Sequence, residues 1–577
     1  MATENVDYSH LLYKRGYVLS AAEIAPPIST WKTEHVGSYY LSFDLDNPFA
    51  YAEASNEWVA ILGKVIDILH WSADVQAVTA ECLKSLEYSE DRMLDYIDHL
   101  NGRFILLYHH GGKTRLMTDA FALRSTFYTF EEPLTVASHA KIISDRLNLG
   151  ESQKMAIIKG YPDWIERTSD GYPGNLTAYE EVYLLTPNTL IEIEERKIRR
   201  FYPRKALPVG EVNEVAEEVG AIMKRQIELL HKNYSLAVSL TAGLDSRTTL
   251  ATARDIARGI LFFTYGHIVN LSAIEGASPR LVKYISGMYR TWQMKSDCDI
   301  SVAREIAEAL ELKHICLVDD ADVSMEDFRA FNEVLGCNNY HVHLRRLAKT
   351  YMDKLPPGVL HVASVVSQVG RVRGRWWLDE STLTAERMAQ LYGIGGYETI
   401  EAFREYSEVV ELDRISNYSA YDMFYWEHHL GSWVPYLALE GDMAMDTFQP
   451  FNCRVLVERV LSLPTIYNME STVYFEIIRR HWPILLSWPV NEPTWRHRVE
   501  TLQVERIKDG ARIEKLKARE EAKALEAARA LETVKALRES FSFRLGHMIV
   551  QAIASPGWNT VLLPYRLARL CLRRGLR

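Results

Sequence analysis

Cysteine is scarce in this chain, and none of it is paired in sequence. Six residues, at positions 82, 298, 316, 337, 453 and 571, are spread over 577 without a Cys-x-x-Cys spacing. That argues against a disulfide framework or a cysteine zinc site and fits reduced thiols in a cytoplasmic protein. No run of 18 apolar residues occurs, so no helix is expected to span a bilayer. The first residues, Met-Ala-Thr-Glu-Asn-Val-Asp, have neither the basic start nor the apolar core of a secretory signal. The common phosphate-binding pattern Gly-x-x-x-x-Gly-Lys-Ser/Thr is also missing. Its nearest approach, Gly111-Gly112-Lys113-Thr114, has Leu107 where the first glycine belongs. The flanks, 104–108 and 115–118, alternate as hairpin strands do, so this segment reads as a hairpin tip. Lysine is absent between Lys354 and Lys508, and no acidic residue follows Glu539.

What is present is the composition of a globular protein, 47% apolar and 25% charged, at a length that implies two or three domains. The net charge of −10 argues against nucleic acid as a partner. The acid-free end carries Arg544, Arg566, Arg569, Arg573, Arg574 and Arg577. With Trp558, Val561, Leu562, Leu563, Tyr565, Leu567 and Leu570, residues 541–577 read as a basic amphipathic tail. Such a tail suits an anionic membrane surface, making the protein peripheral at the inner membrane face; folding back or packing in an oligomer is the alternative. Before it, residues 499–538 are rich in Ala, Glu, Lys, Arg and Leu and read as one long helix. Ile513, Leu516, Ala527, Ala530, Val534 and Leu537 keep a heptad grid that Glu520 and Lys523 break. A coiled coil joining a homo-oligomer and a solvated single helix both remain open.

The most informative stretch runs from Ser235 to Arg247, Ser-Leu-Ala-Val-Ser-Leu-Thr-Ala-Gly-Leu-Asp-Ser-Arg. Leu236 to Leu240 reads as a buried parallel strand and 248–257 as a helix, with a small-residue turn between them. Exposed N–H groups at a helix start form an anion site. Thr241 and Ser246 can donate to phosphate oxygens, Gly243 permits close approach, and Asp245 can hold Mg²⁺. Downstream, 259–265 and 314–318 read as strands and 301–310 as a helix. That alternation means a doubly wound parallel sheet, with ligands at the carboxyl ends of its strands.

The segment Thr-Ala-Gly-Leu-Asp-Ser resembles the Ser-Gly-Gly-x-Asp-Ser pyrophosphatase loop of the asparagine synthetase-like superfamily, with Thr241 for serine and Ala242 for the first glycine. The first 200 residues also resemble that family's glutaminase half. Leu100-Asn101-Gly102-Arg103-Phe104 matches its Leu-Asn-Gly-x-Phe strand, Asp119 opens the Asp-x-x-Gly position, and Phe127-Tyr128 stands for its Tyr-Tyr pair. The resemblance, which covers roughly residues 35 to 495, together with the helix and tail read above, implies a mixed α/β protein in four parts. These are a degenerate Ntn-hydrolase-like α+β sandwich (1–205), an ATP pyrophosphatase domain with C-terminal helices (206–495), the long helix (496–540) and the tail (541–577).

The resemblance also implies ATP and Mg²⁺ as ligands. Ser239, Thr241, Ala242, Gly243, Asp245 and Ser246 are the nucleotide-binding candidates, joined by Thr264 and Gly266 on the next strand. In the family a substrate carboxylate attacks the α-phosphorus, pyrophosphate leaves, and an amine displaces AMP. The glutaminase nucleophile is a cysteine at position 2, where this chain has Ala2. Asn101-Gly102, at the family's oxyanion position, then reads as a strand-edge turn. The family's acidic motif aligns with Ser364 to Arg371, where Gln368 replaces a carboxylate, although Asp379 and Glu380 follow. Its catalytic lysine has no counterpart, which leaves Arg371, Arg373, Arg479 and Arg480 as the local cations. Asp245, Arg371 and Arg480 are the catalytic candidates. Glu427-His428-His429 lacks metal-helix spacing and reads as a packed helix, and His109-His110 as solvated. Two functions follow: a ligase joining a carboxylate to ammonia or another amine, or a catalytically silent nucleotide-binding scaffold.

Overall fold

Alternation of buried side chains explains the first half of the computed structural model. Among the described residues, twelve strands lie between 17 and 200: β1 (Tyr17–Ser20), β2 (Lys32–Val36), β3 (Tyr39–Phe43), β4 (Phe49–Ala54), β5 (Glu57–Asp67), β6 (Leu100–His110), β7 (Lys113–Thr118), β8 (Phe127–Thr129), β9 (Thr135–Ala137), β10 (Tyr183–Leu184), β11 (Thr189–Glu192) and β12 (Lys197–Arg200). They form two antiparallel sheets of order β10-β8-β9-β1-β3-β2 and β12-β11-β7-β6-β5-β4. On β5, Ala60 and Leu62 meet Leu19 and Leu41 of the other sheet, while Val59 and Ile61 join Val78, Cys82 and Leu86 of the Val75–Tyr88 helix. Both faces of the strand are therefore buried, which is why it reads as a continuous apolar run. The β6–β7 hairpin turns at Gly111 and Gly112, whose φ values of 60° and 77° suit glycine, as the sequence led us to expect.

The second half is built on a parallel sheet. Its strands are β13 (Leu236–Ser239), β14 (Leu261–Gly266), β15 (Lys313–Val318), β16 (Leu360–Val362) and β17 (Asp446–Phe448), in the order β15-β14-β13-β16-β17. All four neighbouring pairs are parallel. Chain order runs outward from β13 through β14 to β15, then returns to the other side of β13 with β16. The crevice between the carboxyl ends of β13 and β16 is thus the switch point of the sheet, where open α/β sheets take their ligands. Leu236 and Val238 face the core shared with the Val212–Asn233 and Leu244–Thr252 helices, and Ala237 faces the side covered by the Arg345–Lys354 helix.

The structure describes residues 7–166, 171–266, 297–318, 325–338, 345–371, 382–415, 418–464, 467–468 and 470–490. These belong to one compact unit, Met1–Gln503. The long helix expected over 499–538 and the basic tail lie outside the described residues, as do Ala2, Arg373, Asp379 and Glu380. Among the described residues no helix is long and apolar enough to cross a membrane, and Cys82, Cys298, Cys316 and Cys453 are in no disulfide.

Two expectations need correction and a third is refined. The helix after the loop begins at Leu244, four residues before Thr248, and ends at Thr252. Almost every side chain on it is buried, so it shows no amphipathic stripe to mark its start. Asn101-Gly102 is not a strand-edge turn but lies inside β6, opposite Ile66 and Val65. Glu427-His428-His429 is packed as expected, but on a π-helical turn, Tyr425–Leu430. There Glu427 takes both prongs of Arg200, and the His428 ring stacks on Phe424.

Candidate functional site

The loop that leaves β13 turns on its own hydroxyls. Thr241 Oγ1 lies 2.9 Å from Ser246 Oγ, and it also accepts the Gly243 N–H at 3.0 Å. Ser246 Oγ accepts the Thr241 N–H at 3.1 Å. The Ala242 N–H is taken by Asp299, at 2.8 Å, from the helical segment 297–309. The three consecutive N–H groups that would cradle a phosphate are thus held by side-chain oxygens. Gly243 caps the following helix at φ −75°, a conformation any residue adopts, so the backbone here does not require glycine.

Asp245, on the first turn of that helix, meets the segment leaving β16. Arg371 Nε donates to Asp245 Oδ1 at 2.9 Å while its Nη2 donates to Oδ2, a two-pronged pair. Ser367 Oγ adds a third bond to Oδ1 at 2.6 Å. Ser364 Oγ meets Thr249 Oγ1 at 2.7 Å, and Tyr474 of the Thr472–His481 helix donates to the Ser367 carbonyl at 2.5 Å. The segment aligned with the family's acidic motif therefore reaches the loop, and it brings an arginine and serines. Gln449, just beyond β17, accepts the Val366 N–H at 2.9 Å and holds the segment from behind.

Several expected residues sit elsewhere. Thr264 is wholly buried, its hydroxyl spent on the Leu240 carbonyl at 2.7 Å and on His314 Nε2 at 2.8 Å. It props the strand end beneath the loop, with no side-chain atom left for a base. Gly266 is buried at the end of β14, paired with Val318, and Ser239 is half-buried at the end of β13. Arg480 points to the Val212–Asn233 helix, pairing with Glu217 and with Glu476 of its own helix. It is no part of the Asp245 cluster, because its side chain leaves on a different face of its helix from Tyr474. Arg479 likewise pairs with Glu476. His110 is bonded to Glu57 and His109 to Thr114, so neither imidazole is merely solvated.

One residue at the site gave no signal in the sequence. Arg247 is fully buried beneath the loop and donates to four carbonyls, those of Ala242, Leu485, Trp488 and Pro489, at 2.7–3.2 Å. Burial pushes its pKa down to about 10, against the pull of Asp299. It ties the loop to residues 485–489, a contact between segments 238–242 positions apart. No local pattern distinguishes such an arginine from a surface one.

For magnesium, Asp245 is the one carboxylate of the loop itself, and both its oxygens are engaged. Among the described residues no group of three His, Cys, Asp or Glu side chains could hold a metal. Magnesium carried by a nucleotide needs only one or two carboxylates beside the phosphates. The donor set fits such an ion provided Arg371 turns from Asp245 to the phosphates.

No family model matches the chain, and no curated protein matches it. Among solved structures, it is similar to glutamine phosphoribosylpyrophosphate amidotransferase from B. subtilis in complex with ADP and GMP. That similarity has 12% identity and a TM-score of 0.20, over 44% of this chain and 61% of that one. The structure of the allosteric regulatory enzyme of purine biosynthesis is matched at 10% identity and a TM-score of 0.22, over 59% of this chain and 90% of that one. Likeness at this level decides nothing about activity or substrate. Neither is an asparagine synthetase, so that resemblance rests on the residues quoted above.

Proposed function

We propose that this chain is an ATP-dependent, AMP-forming carboxylate–amine ligase of the asparagine synthetase type, supplied with ammonia or another amine from outside. The observation that carries the reading is the meeting of two segments at the switch point of the parallel sheet. The hydroxyl-rich loop after β13 and the Arg371 segment after β16 converge there through Asp245. In this reading Thr241 and Ser246 turn their hydroxyls to the pyrophosphate and Arg371 takes its charge. Asp245 would hold the magnesium, which when bound would neutralise the leaving group. A carboxylate oxygen bonds to the α-phosphorus as the bond to the β-phosphate oxygen breaks. The amine then bonds to the acyl carbon, AMP departs with the carboxylate oxygen, and the amine loses a proton.

A specific observation favours a second reading, a nucleotide-binding scaffold without catalysis. The loop N–H groups are internally satisfied, and Asp245 is closed by Arg371. Exchange of radiolabelled pyrophosphate into ATP, run across a panel of carboxylates, separates the two. Exchange with any carboxylate supports the ligase. Nucleotide binding without exchange across the panel leaves the scaffold.

A further inference from the structure

Four hairpins turn at one end of the two-sheet sandwich: β2–β3 at Gly37-Ser38, β4–β5 at Ser55-Asn56, β6–β7 at Gly111-Gly112, and β11–β12 at residues 193–196. Between their tips lies a cleft of about 600 Å³, a size that suits a small-molecule site. Trp58 and His109 line it as directly opposed residues of β5 and β6, with ring centres 6.0 Å apart and planes within 15° of parallel. They give the cleft a flat aromatic side, while Glu57, Glu194, Ser38 and Asn56 bring polar groups from the turns.

The protein uses only part of the bonding capacity of these groups. Glu194 Oε1 accepts from the Tyr39 hydroxyl at 3.1 Å and Oε2 from the Thr114 N–H at 2.8 Å. The carboxylate is thereby fixed in place, and each oxygen keeps a lone pair for a further donor. Glu57 gives Oε1 to His110 at 2.5 Å, and its Oε2 meets no donor among the described residues. His109 spends Nδ1 on Thr114 Oγ1 at 3.0 Å, which leaves Nε2. Trp58 is 7% exposed, and its indole N–H meets no acceptor among the described residues. A Cβ at Gly37, φ 59°, would stand 2.6 Å from Trp58 Nε1, so glycine at this turn keeps the N–H edge uncovered.

The chemistry of the lining narrows the ligand. Two carboxylates repel an anion, a simple cation cannot accept from the indole N–H, and an apolar ligand would leave every polar group unpaired. A hydroxyl both donates and accepts, and a pyranose ring carries several of them around an apolar face that can lie against aromatic rings. We infer that this cleft is a binding site for a neutral saccharide, whose hydroxyls donate to Glu57 and Glu194 and accept from Trp58. The inference stands apart from the nucleotide reading, because every residue of the lining belongs to the antiparallel half of the chain.

Saturation-transfer NMR on the full chain tests it, with methyl glucosides, galactosides and mannosides as probes and n-butylammonium as the cation control. At least one glycoside is expected to take up saturation, with a dissociation constant on the order of 1 mM. Glu57→Gln combined with Glu194→Gln makes both acceptors neutral and is expected to weaken that binding about tenfold or more. Should the double variant fail to fold, Asn56→Trp, at an exposed turn on the rim, is expected to block the mouth with the same loss. Absence of transfer to every glycoside overturns the inference. Transfer undiminished in the variants overturns it too, because the sugar then binds elsewhere. Transfer to n-butylammonium alone would make the cleft a cation site and overturn it as well.

Discussion

Arg371 and Asp245, 126 residues apart, form a two-pronged ion pair where the β13 loop meets the segment after β16. With 11% and 14% of their side chains exposed, the pair is shielded yet reachable from the crevice. Under the proposed reading, a polyphosphate would compete with Asp245 for the Arg371 fork.

The pair gives Asp245→Asn opposite effects with and without metal. Removing the charge releases Arg371, so metal-free ATP is expected to bind roughly tenfold tighter, about 1.4 kcal/mol. The same change removes the magnesium ligand, so added Mg²⁺ should no longer improve affinity. Calorimetric titration with and without a chelator reads both. A variant that still gains affinity from Mg²⁺ would show that the metal sits elsewhere.

Asp442 answers Arg103 in a wholly buried pair, with side chains 1% and 2% exposed. Asp442→Asn removes the nearer of the two carboxylates paired with buried Arg103, leaving Asp446 at 3.5 Å, and is expected to cost about 3 kcal/mol of stability. Urea unfolding measures it. A loss below about 1 kcal/mol would mean that water or Asp446 satisfies Arg103 instead.

His361 on β16 lies between the rings of Phe263 and Tyr351, and burial pushes its pKa down to about 4 from the ordinary 6.5. The unfolded chain therefore binds a proton between pH 6.5 and 4 that the folded one refuses. Stability contributed by the neutral ring is complete above pH 6.5 and drains as pH falls through that window, by up to about 1.4 kcal/mol per pH unit. His361→Phe should unfold with a correspondingly shallower acid limb. Equal slopes for variant and wild type would contradict the buried neutral ring.

Ala122 holds φ 53°, in the left-handed region that favours glycine. The left-handed conformation costs an alanine about 1–2 kcal/mol, and part of that returns as the greater unfolded entropy of glycine. Ala122→Gly is therefore expected to raise stability by up to about 1 kcal/mol, seen as a higher denaturation midpoint. A lower midpoint would mean that the Cβ packs usefully.

Much of the fold was legible because it is written in local pattern. The apolar run at 236–240 marked β13, Gly111-Gly112 marked the hairpin tip, and the stripe of Val215, Val219 and Ile222 marked the Val212–Asn233 helix. The small residues of 241–246 marked the loop for the same reason. What was not legible depends on partners far away in the chain. Asp245 read as an open metal ligand because nothing nearby announces Arg371. Asn101-Gly102 read as a turn because the strand continues through a glycine that only its closeness to Lys64 explains. Arg480 read as a pyrophosphate cation because the sequence cannot show that Glu217 and Glu476 flank it. Charge states type but not address.

The most direct measurement is the heat of binding when ATP with Mg²⁺ is titrated to millimolar concentration into the wild type and into Arg371→Met. Binding is expected for the wild type, weakened about tenfold or more in the variant as one charged, two-pronged contact is lost. The absence of any binding heat in the wild type would contradict the nucleotide site itself, and with it the ligase.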